Sequence, residues 1–415
     1  MIDWQPLKIG DLGRVVTGKT PPTESTEYYD GDELFVSPKD LTWNSYYVDS
    51  TATRISEKAL DKFKRQVIPR DAVMFTSLSF AFGKMGIASR SCITNQQINS
   101  IIVHDTHCSR FVYYLLRAYE PHIFAYNSGI DTPIVPKSVF ERIPVLLPGK
   151  AEQEKIASLL CSYDDLIANN QRRIALLESM AEEIYREWFV RMRAPVSDEC
   201  ESSGQAGLTS LDELGTFLNG YAFDPTELHE EGLPIIKIRE LNAGVCADTP
   251  RNTGDKIAEK YNFGDGDIVF SWSASLVVQI WHQGPALLNQ HLFKVTPAKD
   301  VSREFLYFSI KFAIPIFESL TTGATMQHIK RKELRFVKVR VPGPQGMKAF
   351  DNLVSPLMEQ ALRLKQIIVR LKSQRDALLP RLISGKLRVD DLDIQFPPSM
   401  QPLPAEAVPR EAIAR

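Results

Sequence analysis

The sequence predicts an α/β (mixed) fold class: two globular heads, each followed by a long α-helix, with the two helices paired as a coiled-coil spacer. Three observations support this prediction. The chain contains the same pattern twice, each copy mixes short β-type runs with helical stretches, and each copy ends in a long segment with helical apolar spacing.

The internal repeat keeps a single register over much of its length. Residue i of the first copy matches residue i+194 of the second, for example at Asn95 and Asn289 and at Phe111 and Phe305. The same offset continues into the helical segments. A chain with two similar heads on two similar helices is suited to recognising two similar things at a set separation.

The residue composition and the apolar spacing of the sequence change where each head ends and its helix begins. Within the heads, Pro, Gly and Asn separate short β-type runs from helical stretches, which is typical of a mixed α/β domain. The linker between the copies is polar and rich in small residues, and the C-terminal tail is rich in proline. The predicted segments are a first head at 1–149, a central coiled-coil helix at 150–193, a linker at 194–207, a second head at 208–342, a C-terminal coiled-coil helix at 343–388 and a disordered tail at 389–415.

Apolar residues recur at alternating spacings of three and four in both helical segments, which predicts a coiled-coil seam. A helix of this length spans roughly 60 Å at about 1.5 Å per residue. Pairing within the chain is the economical solution, although a seam shared with another subunit's helices is an alternative, and Asn170 in the seam is expected to fix the register. The seam positions are Ile156, Leu160, Tyr163, Ile167, Asn170, Ile174, Leu177, Ala181, Ile184 and Trp188 in the first helix, and Phe350, Val354, Leu357, Ala361, Leu364, Ile368, Leu371, Arg375, Leu378 and Leu382 in the second.

Composition places the chain among ordinary cytoplasmic proteins. Its 415 residues, 44% hydrophobic and 24% charged, suffice for two cores of ordinary size. The N-terminus does not read as a secretory signal, and no run of about 18 apolar residues occurs, so we expect no membrane association. The five cysteines show no CxxC pairing, which argues against a zinc site and against a disulfide framework.

Charge and motif content argue against a self-contained enzyme. The formal net charge of −2 weakly disfavours a stand-alone nucleic-acid binder, although basic residues are concentrated at 327–340. The sequence lacks an Asn/Asp-Pro-Pro-aromatic methyltransferase loop, a phosphate-binding GxxxxGK[ST] loop and a Gly-rich turn for a nucleotide. His104 and His107 have no companion ligands at metal-binding spacing. We therefore expect no catalytic residues, no metal and no cofactor.

Several local strings resemble the DNA-specificity subunit of type I restriction-modification systems, and the resemblance covers everything except the tail. They are Leu12 to Pro22 with Phe35 to Leu41, Ala151 to Ile156, Ile184 to Phe189, and Leu378 to Leu387. The resemblance implies that each head is a target-recognition domain that reads one half of a split, asymmetric sequence in double-stranded DNA. It also implies that the helical regions dock two methyltransferase (modification) subunits, and that restriction/translocase subunits join the complex.

Positions at which both heads carry polar residues are the better candidates for DNA contact, because DNA is bound through hydroxyls and cations on phosphates and through forked side chains on bases. The alternative for each is a local salt bridge, a hydrogen bond to buried backbone, or a solvated surface. The candidates are Gly18, Lys19 and Thr20 with Asn219 and Tyr221; Lys39 and Asp40 with Arg239 and Glu240; Thr76 and Ser77 with Ser271 and Ser273; Asn95, Gln96 and Gln97 with Asn289, Gln290 and His291; and the basic run Lys330, Arg331, Lys332 and Arg335.

The C-terminal ends of the two helices carry large apolar groups that are candidates for partner docking. Their alternative role is to close the coiled coil on itself. These residues are Tyr185, Trp188 and Phe189 in the first helix and Leu378, Leu379 and Leu382 in the second.

The sequence therefore favours a non-catalytic DNA-recognition subunit of a type I methyltransferase and endonuclease complex. Two other functions are compatible with parts of the pattern. One is a coiled-coil tether whose heads bind proteins, and the other is a self-contained DNA-modifying enzyme, which the missing motifs disfavour.

Overall fold

The computed structural model describes residues 4–42, 46–78, 81–129, 131–194, 207–320, 331–389 and 391–401. The chain divides into two compact units. The first unit comprises Met1–Ile167 with Leu371–Arg415, and the second comprises Ala168–Arg370. Each unit therefore joins one head to parts of both long helices, so the units do not follow the segment boundaries predicted from the sequence.

The first head is built from three sheets and three short or medium helices. A five-stranded sheet has the order β2-β10-β7-β8-β4, a four-stranded sheet has the order β5-β3-β9-β6, and β1 pairs with β11. The strands are β1 Gln5–Lys8, β2 Gly13–Thr17, β3 Tyr29–Val36, β4 Tyr47–Val48, β5 Thr53–Ile55, β6 Val67–Ile68, β7 Val73–Thr76, β8 Met85–Ala88, β9 Cys92–Thr94, β10 Ile98–Val103 and β11 Pro144–Leu147. The helices are α1 Glu57–Lys62, α2 Ser109–Phe124 and α3 Lys137–Phe140.

The second head repeats this topology strand for strand, apart from β4. Its sheets have the orders β13-β20-β17-β18 and β15-β14-β19-β16, and β12 pairs with β21. In both heads the same central pair, β3 with β9 and β14 with β19, is parallel. The strands are β12 Leu208–Ser210, β13 Gly215–Asn219, β14 Leu233–Ile236, β15 Arg251–Asn252, β16 Asn262–Phe263, β17 Ile268–Ser271, β18 Val278–Ile280, β19 Ala286–Leu288, β20 Leu292–Pro297 and β21 Lys338–Arg340.

One amphipathic helix covers the sheet that contains β7 in the first head and the equivalent sheet, which contains β17, in the second. In the first head α2 buries Phe111, Leu115 and their neighbours against β7, whose four residues are all buried. A strand covered on both faces reads as a continuous apolar run, as Val73 to Phe75 does. The equivalent helix of the second head is α6 Arg303–Leu320, preceded by the short helix α5 Ile238–Ala243.

The two long helices that the apolar spacing predicts are present. They are α4 Lys150–Tyr185, which continues as a π-helical turn at Arg186–Val190, and α7 Pro344–Ile383. Every predicted seam position is buried or half-buried. The fold class predicted from the sequence, two mixed α/β heads with two long helices, is confirmed. No helix in the described part of the chain is long and apolar enough to span a membrane.

Within the second unit the two long helices run antiparallel. The Lys365 ammonium lies 2.6 Å from the Glu178 carboxylate, and the ring of Tyr185, seven positions further along α4, lies 6.2 Å from the ring of Phe350. A step forward along α4 is therefore a step backward along α7. Asn170 is buried, as expected for a polar residue in the seam.

The C-terminal end of α4 is buried against the second head. The Tyr185 ring lies 5.5 Å from Phe308 and 5.1 Å from Phe312, and its hydroxyl is 3.0 Å from the Ser309 hydroxyl. Trp188 and Phe189 pack against the same core. The π-helical turn that contains Trp188 and Phe189 thus presents its aromatic residues to the chain itself.

The C-terminal end of α7 is buried in the same way against the first head. Leu379 and Leu382 belong to the core that contains Phe111, and Leu378 packs against it. These six helix-end residues pack against the heads of the chain, although Trp188, Phe189 and Leu378 are only half-buried. Packing against a head is neither docking of a partner nor closure of the coiled coil on itself, so the predicted partner-docking role of Tyr185, Trp188, Phe189, Leu378, Leu379 and Leu382 stays a prediction. Amphipathic helix ends look alike in sequence whether their partner is internal or external, which is why the pattern could not separate the two.

The start of the predicted disordered tail is ordered. Val389 is 1% exposed and belongs to the core of the first unit, and Ile394 and Met400 pack against that core. The Ser399 amide donates to Asp165, 3.1 Å away, and the Ser158 hydroxyl donates to the Gln395 carbonyl at 2.9 Å. The prediction of disorder is wrong for residues 391–401, while 402–415 lie outside the described residues.

We expect Tyr185→Ala to lower the free energy of unfolding by about 3 kcal/mol, because the ring fills a closed aromatic core. Tyr185→Phe should cost about 1 kcal/mol, since it removes only the hydrogen bond to Ser309. Burial raises the pKa of the Tyr185 hydroxyl to about 12, so the group stays protonated in neutral buffer. Urea-induced unfolding of the full chain measures the effect of both substitutions.

The matched control is Leu176→Ala, on the same helix but 65% exposed. Its effect should stay within about 0.5 kcal/mol. Equal destabilisation by Tyr185→Ala and Leu176→Ala would contradict the packing described above.

Candidate nucleic-acid interface

Four of the predicted polar segments of the first head meet at the turn that follows β9. The Lys19 amide donates to the Thr94 carbonyl at 2.8 Å, and the Asn95 amide donates to the Val36 carbonyl at 2.9 Å. The Ser77 amide donates to the Gln97 carbonyl at 3.0 Å. We call the meeting place of residues 18–20, 37–40, 76–77 and 95–97 the first polar junction.

The second head builds the same arrangement at the turn after β19. The Tyr221 amide donates to the Leu288 carbonyl at 2.8 Å, the Asn289 amide to the Ile236 carbonyl at 3.2 Å, and the Trp272 amide to the His291 carbonyl at 3.4 Å. Residues 219–221, 237–240, 271–273 and 289–291 form the second polar junction. Segments that are far apart in sequence are thus brought together in equivalent ways in the two heads.

A glycine makes the close approach possible in each junction. A Cβ atom on Gly18 would lie 2.2 Å from the carbonyl oxygens of Thr94 and Asn95. A Cβ atom on Gly220 would lie 2.3 Å from the carbonyl oxygen of Asn289. Both contacts are far shorter than any real Cβ contact, so these glycines have a structural reason to be present, and the prediction that Gly18 touches DNA stays a prediction.

Within each turn the asparagine bonds to the backbone and the glutamine that follows it is exposed. The Asn95 side-chain oxygen accepts from the Gln97 amide at 2.9 Å, and that of Asn289 lies 3.5 Å from the His291 amide. Asn289 is only 4% exposed. These asparagines hold the turn, while Gln96 and Gln290, the residues that follow them, are exposed.

Hydrogen bonding also positions the exposed glutamine of the first head. The Thr20 hydroxyl donates to the side-chain oxygen of Gln96 at 2.6 Å. Lys19 is exposed beside it, with its ammonium 5.6 Å from the centre of the Phe63 ring. An amide and a cation are therefore presented together at the rim of the first junction.

In the pairs Lys39 with Asp40 and Arg239 with Glu240, each carboxylate accepts hydrogen bonds from the backbone. Asp40 accepts from the Ser37 amide at 2.8 Å and the Ala52 amide at 2.7 Å. Glu240 is 1% exposed and accepts from the Lys237 amide at 3.1 Å. In both heads the carboxylate thus closes a turn onto the amide three residues earlier. Glu240 is buried as it is placed, whereas Asp40 is half-buried, and its predicted base-reading role stays a prediction.

The cations of these pairs are exposed. Lys39 is exposed beyond the end of β3, and Arg239 occupies the equivalent place in the second head. The Arg239 guanidinium lies 2.7 Å from Asp248 and 2.8 Å from Glu240. Hydrogen bonding to Asp248 and Glu240 raises the pKa of Arg239, which therefore stays charged.

The hydroxyl groups at the ends of β7 and β17 are buried. Thr76 and Ser271 are 0% exposed, and Ser77 and Ser273 are 5% and 3% exposed. Their predicted phosphate contacts do not hold in this structure, because a phosphate cannot reach a buried hydroxyl. Within the described residues, no group of three or more His, Cys, Asp or Glu side chains is arranged to hold a metal ion.

One buried polar residue that bonds to the first polar junction, Asn99, is missed by a comparison of the two copies. Asn99 is 2% exposed, accepts from the Thr17 hydroxyl at 2.7 Å and donates to the Ser77 hydroxyl at 2.8 Å. Its equivalent in the second head is Phe293, whose ring lies 6.0 Å from that of Trp272. The only signal in the sequence was an isolated asparagine in a β-type run, which a search for polar residues shared by both heads discards.

The basic run lies away from the polar junction. Arg335 lies 2.8 Å from Asp212, which belongs to the 3₁₀ turn Leu211–Glu213 at the start of β13, whereas the junction lies at the end of that strand. Lys332 and Arg335 are exposed. Lys330 and the Arg331 side chain lie outside the described residues, and the role of the run in binding phosphate stays a prediction.

Comparison with known proteins agrees with this architecture. The model of the type I restriction modification DNA specificity domain matches residues 1–179 and 208–355. The chain is 27% identical over 417 residues to the specificity subunit of the type I restriction enzyme MjaIX of Methanocaldococcus jannaschii, covering 94% of this chain and 95% of the relative. It is 23% identical to the MjaVIII specificity subunit of the same organism, covering 94% of each chain.

A solved structure shares the fold. The crystal structure of a type I restriction-modification system S subunit from M. genitalium aligns with a TM-score of 0.58 and 20% sequence identity, covering 92% of this chain and 96% of that one. The family match spans both heads and reaches into both long helices. The chain therefore belongs to the type I restriction-modification DNA specificity family.

Proposed function

We propose that the chain is the non-catalytic, cytoplasmic specificity subunit of a type I restriction-modification complex. Its two heads bind double-stranded DNA with a split, asymmetric recognition sequence, and it docks two methyltransferase (modification) subunits together with restriction/translocase subunits. The observation that carries this proposal is the pair of equivalent polar junctions, each of which presents an exposed glutamine and an exposed cation on a buried scaffold.

The chemistry of the exposed groups suits base recognition. A glutamine amide offers a donor and an acceptor side by side, which matches the edge of adenine in the major groove, and Lys or Arg matches guanine. Gln96 with Lys19 and Lys39 in the first junction, and Gln290 with Arg239 in the second, are exposed groups of this kind. The turns beneath them are fixed by the half-buried Asn95 and Asp40 in the first head and by the buried Asn289 and Glu240 in the second. A rigid support of this kind is what precise recognition requires.

Differences between the junctions favour two unlike half-sites. Lys19 follows Gly18 in the first head, whereas Tyr221 follows Gly220 in the second. Beneath them, the buried Asn99 of the first head is replaced by Phe293. The backbone frame is shared while the groups it presents differ, which supports an asymmetric target.

Exposed apolar residues on the long helices are the better candidates for docking the partner subunits. In the second unit, Leu176 is 65% exposed and Met180, one turn further along α4, is 55% exposed. Leu353 and Ile367, two heptads apart on α7, are 51% and 41% exposed. Apolar stripes of this kind on a helix mark interaction surfaces when they are not covered by the chain itself.

Gln96→Ala and Gln290→Ala should each relax specificity in one half-site only. Loss of one well-formed amide contact to a base costs about 1–3 kcal/mol, so discrimination at one base pair should fall by roughly 10- to 100-fold. The measurement is sequencing-based mapping of methylated sites, made with the chain in complex with its modification subunits.

The control for both variants is Gln5→Ala, which removes an exposed glutamine on β1. It should leave the methylated motif unchanged. If the motif survives both junction substitutions intact, the junctions are not the base-reading surface. If the wild-type complex shows no sequence preference at all, a tether with protein-binding heads becomes the better function.

Lys332→Ala should weaken binding to all DNA sequences alike. Removal of one phosphate contact should reduce the slope of log K against log salt concentration by about 1, without changing the preferred sequence. Binding isotherms at several salt concentrations measure this slope. Lys348→Ala, an exposed lysine on α7, is the control, and an equal change in slope for both variants would contradict a phosphate role specific to the basic run.

Leu176→Glu with Met180→Glu should abolish co-purification of the modification subunits without unfolding the chain. A carboxylate cannot be buried in an apolar interface without a partner, whereas at an exposed position it costs little. Leu208→Glu, at an exposed position in the second head, is the matched control. Unchanged co-purification of the double variant would exclude this helix face as the docking surface.

A further inference from the structure

A buried ion pair lies where the end of α7 packs against the first head. Arg375 is 1% exposed and its guanidinium bonds to the Asp164 carboxylate of α4. The Tyr114 hydroxyl, on α2, donates to the same carboxylate. Burial raises the pKa of the Tyr114 hydroxyl well above its ordinary value, so it remains a donor. Three elements of the first unit thus meet in one buried polar cluster.

The equivalent place in the second unit is apolar. The i+194 register relates Asp164 to Met358, and Tyr114 to Phe308. The same register relates Ala181, on α4, to Arg375. Ala181, Phe308 and Met358 are all buried and belong to one core. A complete polar cluster in one unit is therefore matched by a complete apolar cluster in the other.

A second ion pair shows that these places are geometrically equivalent. Arg117 and Asp376 lie 3.3 Å apart in the first unit. Lys311 and Glu182, their counterparts in the register, lie 2.7 Å apart in the second. In both units this ion pair joins the helix that covers the head to the end of a long helix. We call Tyr114, Asp164 and Arg375, and their counterparts Phe308, Met358 and Ala181, the inner clusters. The inner clusters therefore differ in chemistry although the packing around them is equivalent.

The second unit has a polar contact of its own. The hydroxyls of Tyr185 and Ser309 lie 3.0 Å apart and are buried. Their counterparts in the first unit are Leu379 and Leu115, which lie together in its apolar core. The polar and apolar solutions are therefore interchanged between the units at two separate positions.

We propose that these non-interchangeable contacts decide which helix end each head accepts. The first head accepts the end of α7 and rejects the end of α4, and the second head accepts the end of α4 and rejects the end of α7. The competitor that is rejected is the equivalent helix end of a second copy of this chain, because a repeat protein can pair like halves as well as unlike halves.

Each homotypic pairing would leave a buried polar group without its partner. In the first head, the end of α4 would set Ala181 against Asp164 and place the Tyr185 hydroxyl beside Leu115. In the second head, the end of α7 would set Arg375 against Met358, so that Arg375 loses Asp164 while it keeps the exposed carboxylate of Asp376, 2.9 Å away on the same helix. Removing one partner of a buried ion pair is among the most costly changes in a protein interior. Specificity of this kind comes from what the wrong pairing leaves unpaired.

The consequence for DNA recognition rests on the proposed function. Like halves paired together would present two identical heads and read a symmetric sequence. The inner clusters would then preserve the asymmetry of the target. The pairing preference itself can be tested without DNA.

The test begins with the full-length folded chain carrying a protease site in the linker at 194–207. Cleavage removes the tether, and native mass spectrometry then distinguishes the unlike pair of halves from two N-terminal or two C-terminal halves. In the wild-type sequence we expect unlike pairs to exceed like pairs by about 100-fold or more, since an unpaired buried charge costs several kcal/mol and about 1.4 kcal/mol corresponds to a factor of ten.

Two variants with opposite chemistry should both reduce the preference strongly, leaving only the contribution of the contact between Tyr185 and Ser309. Tyr114→Phe/Asp164→Met/Arg375→Ala makes both inner clusters apolar, and Ala181→Arg/Met358→Asp makes both charged. In each case every pairing is complementary at this position, so like pairs should rise toward half of the total. Because the two variants change different units, misfolding of one leaves the other as a test.

Lys311→Ala is the matched control. It removes an ion pair of the second unit whose counterpart, Arg117 with Asp376, is also an ion pair, so this position does not distinguish the two units. It should leave like pairs as scarce as in the wild type. Abundant like pairs in the cleaved wild type, halves that separate on cleavage, or two cluster variants that keep the wild-type preference would each overturn the proposal. Loss of sequence-specific methylation with this preference intact would instead count against the proposed function alone.

Discussion

Burial of each long helix end by a head that does not adjoin it in sequence is the constraint on which the rest of the structure depends. Leu379 and Leu382 complete the core around Phe111, and Tyr185 completes the core around Phe308. A long helix with a narrow apolar stripe is not stable in water alone, because most helical stability in proteins comes from packing. Neither head is therefore a self-sufficient domain that ends where its sequence pattern ends. A substitution in a helix end should be felt in a head that is distant along the chain.

The polar junctions are likewise held together by segments that are distant along the chain. A strand end, a glycine turn and an asparagine turn use their backbone groups on one another, and polar side chains such as Asn95 and Glu240 bond to that backbone. Only the outermost groups, such as Gln96 and Arg239, are presented to solvent. A frame fixed from within can carry different outer residues without refolding, which is the property that a reader of variable DNA sequences needs.

The sequence was sufficient for the repeat, the seam and the segments that form the junctions, because each depends on periodicity or on a match between copies. The apolar spacing also placed Arg375 in the seam. It missed the partner of Arg375, Asp164, because Asp164 lies one residue beyond the seam position Tyr163. Burial at strand ends was beyond the pattern: nothing in the sequence distinguishes the buried Thr76 from the exposed Gln96. The proline-rich composition at 391–401 is typical of disorder, yet a few apolar anchors such as Ile394 hold it to the first unit.

Comparison between the units bears on why a buried ion pair exists here at all. Met358, Ala181 and Phe308 demonstrate that the same helix-on-head packing can be completed with apolar side chains alone. The pair between Asp164 and Arg375 is therefore not required by the architecture, and buried ion pairs often contribute little net stability relative to apolar replacements. What the ion pair adds is a difference between two otherwise equivalent places. In a chain built from two similar halves, such a difference separates the correct partner from its near copy, because the wrong pairing leaves a buried polar group without its partner.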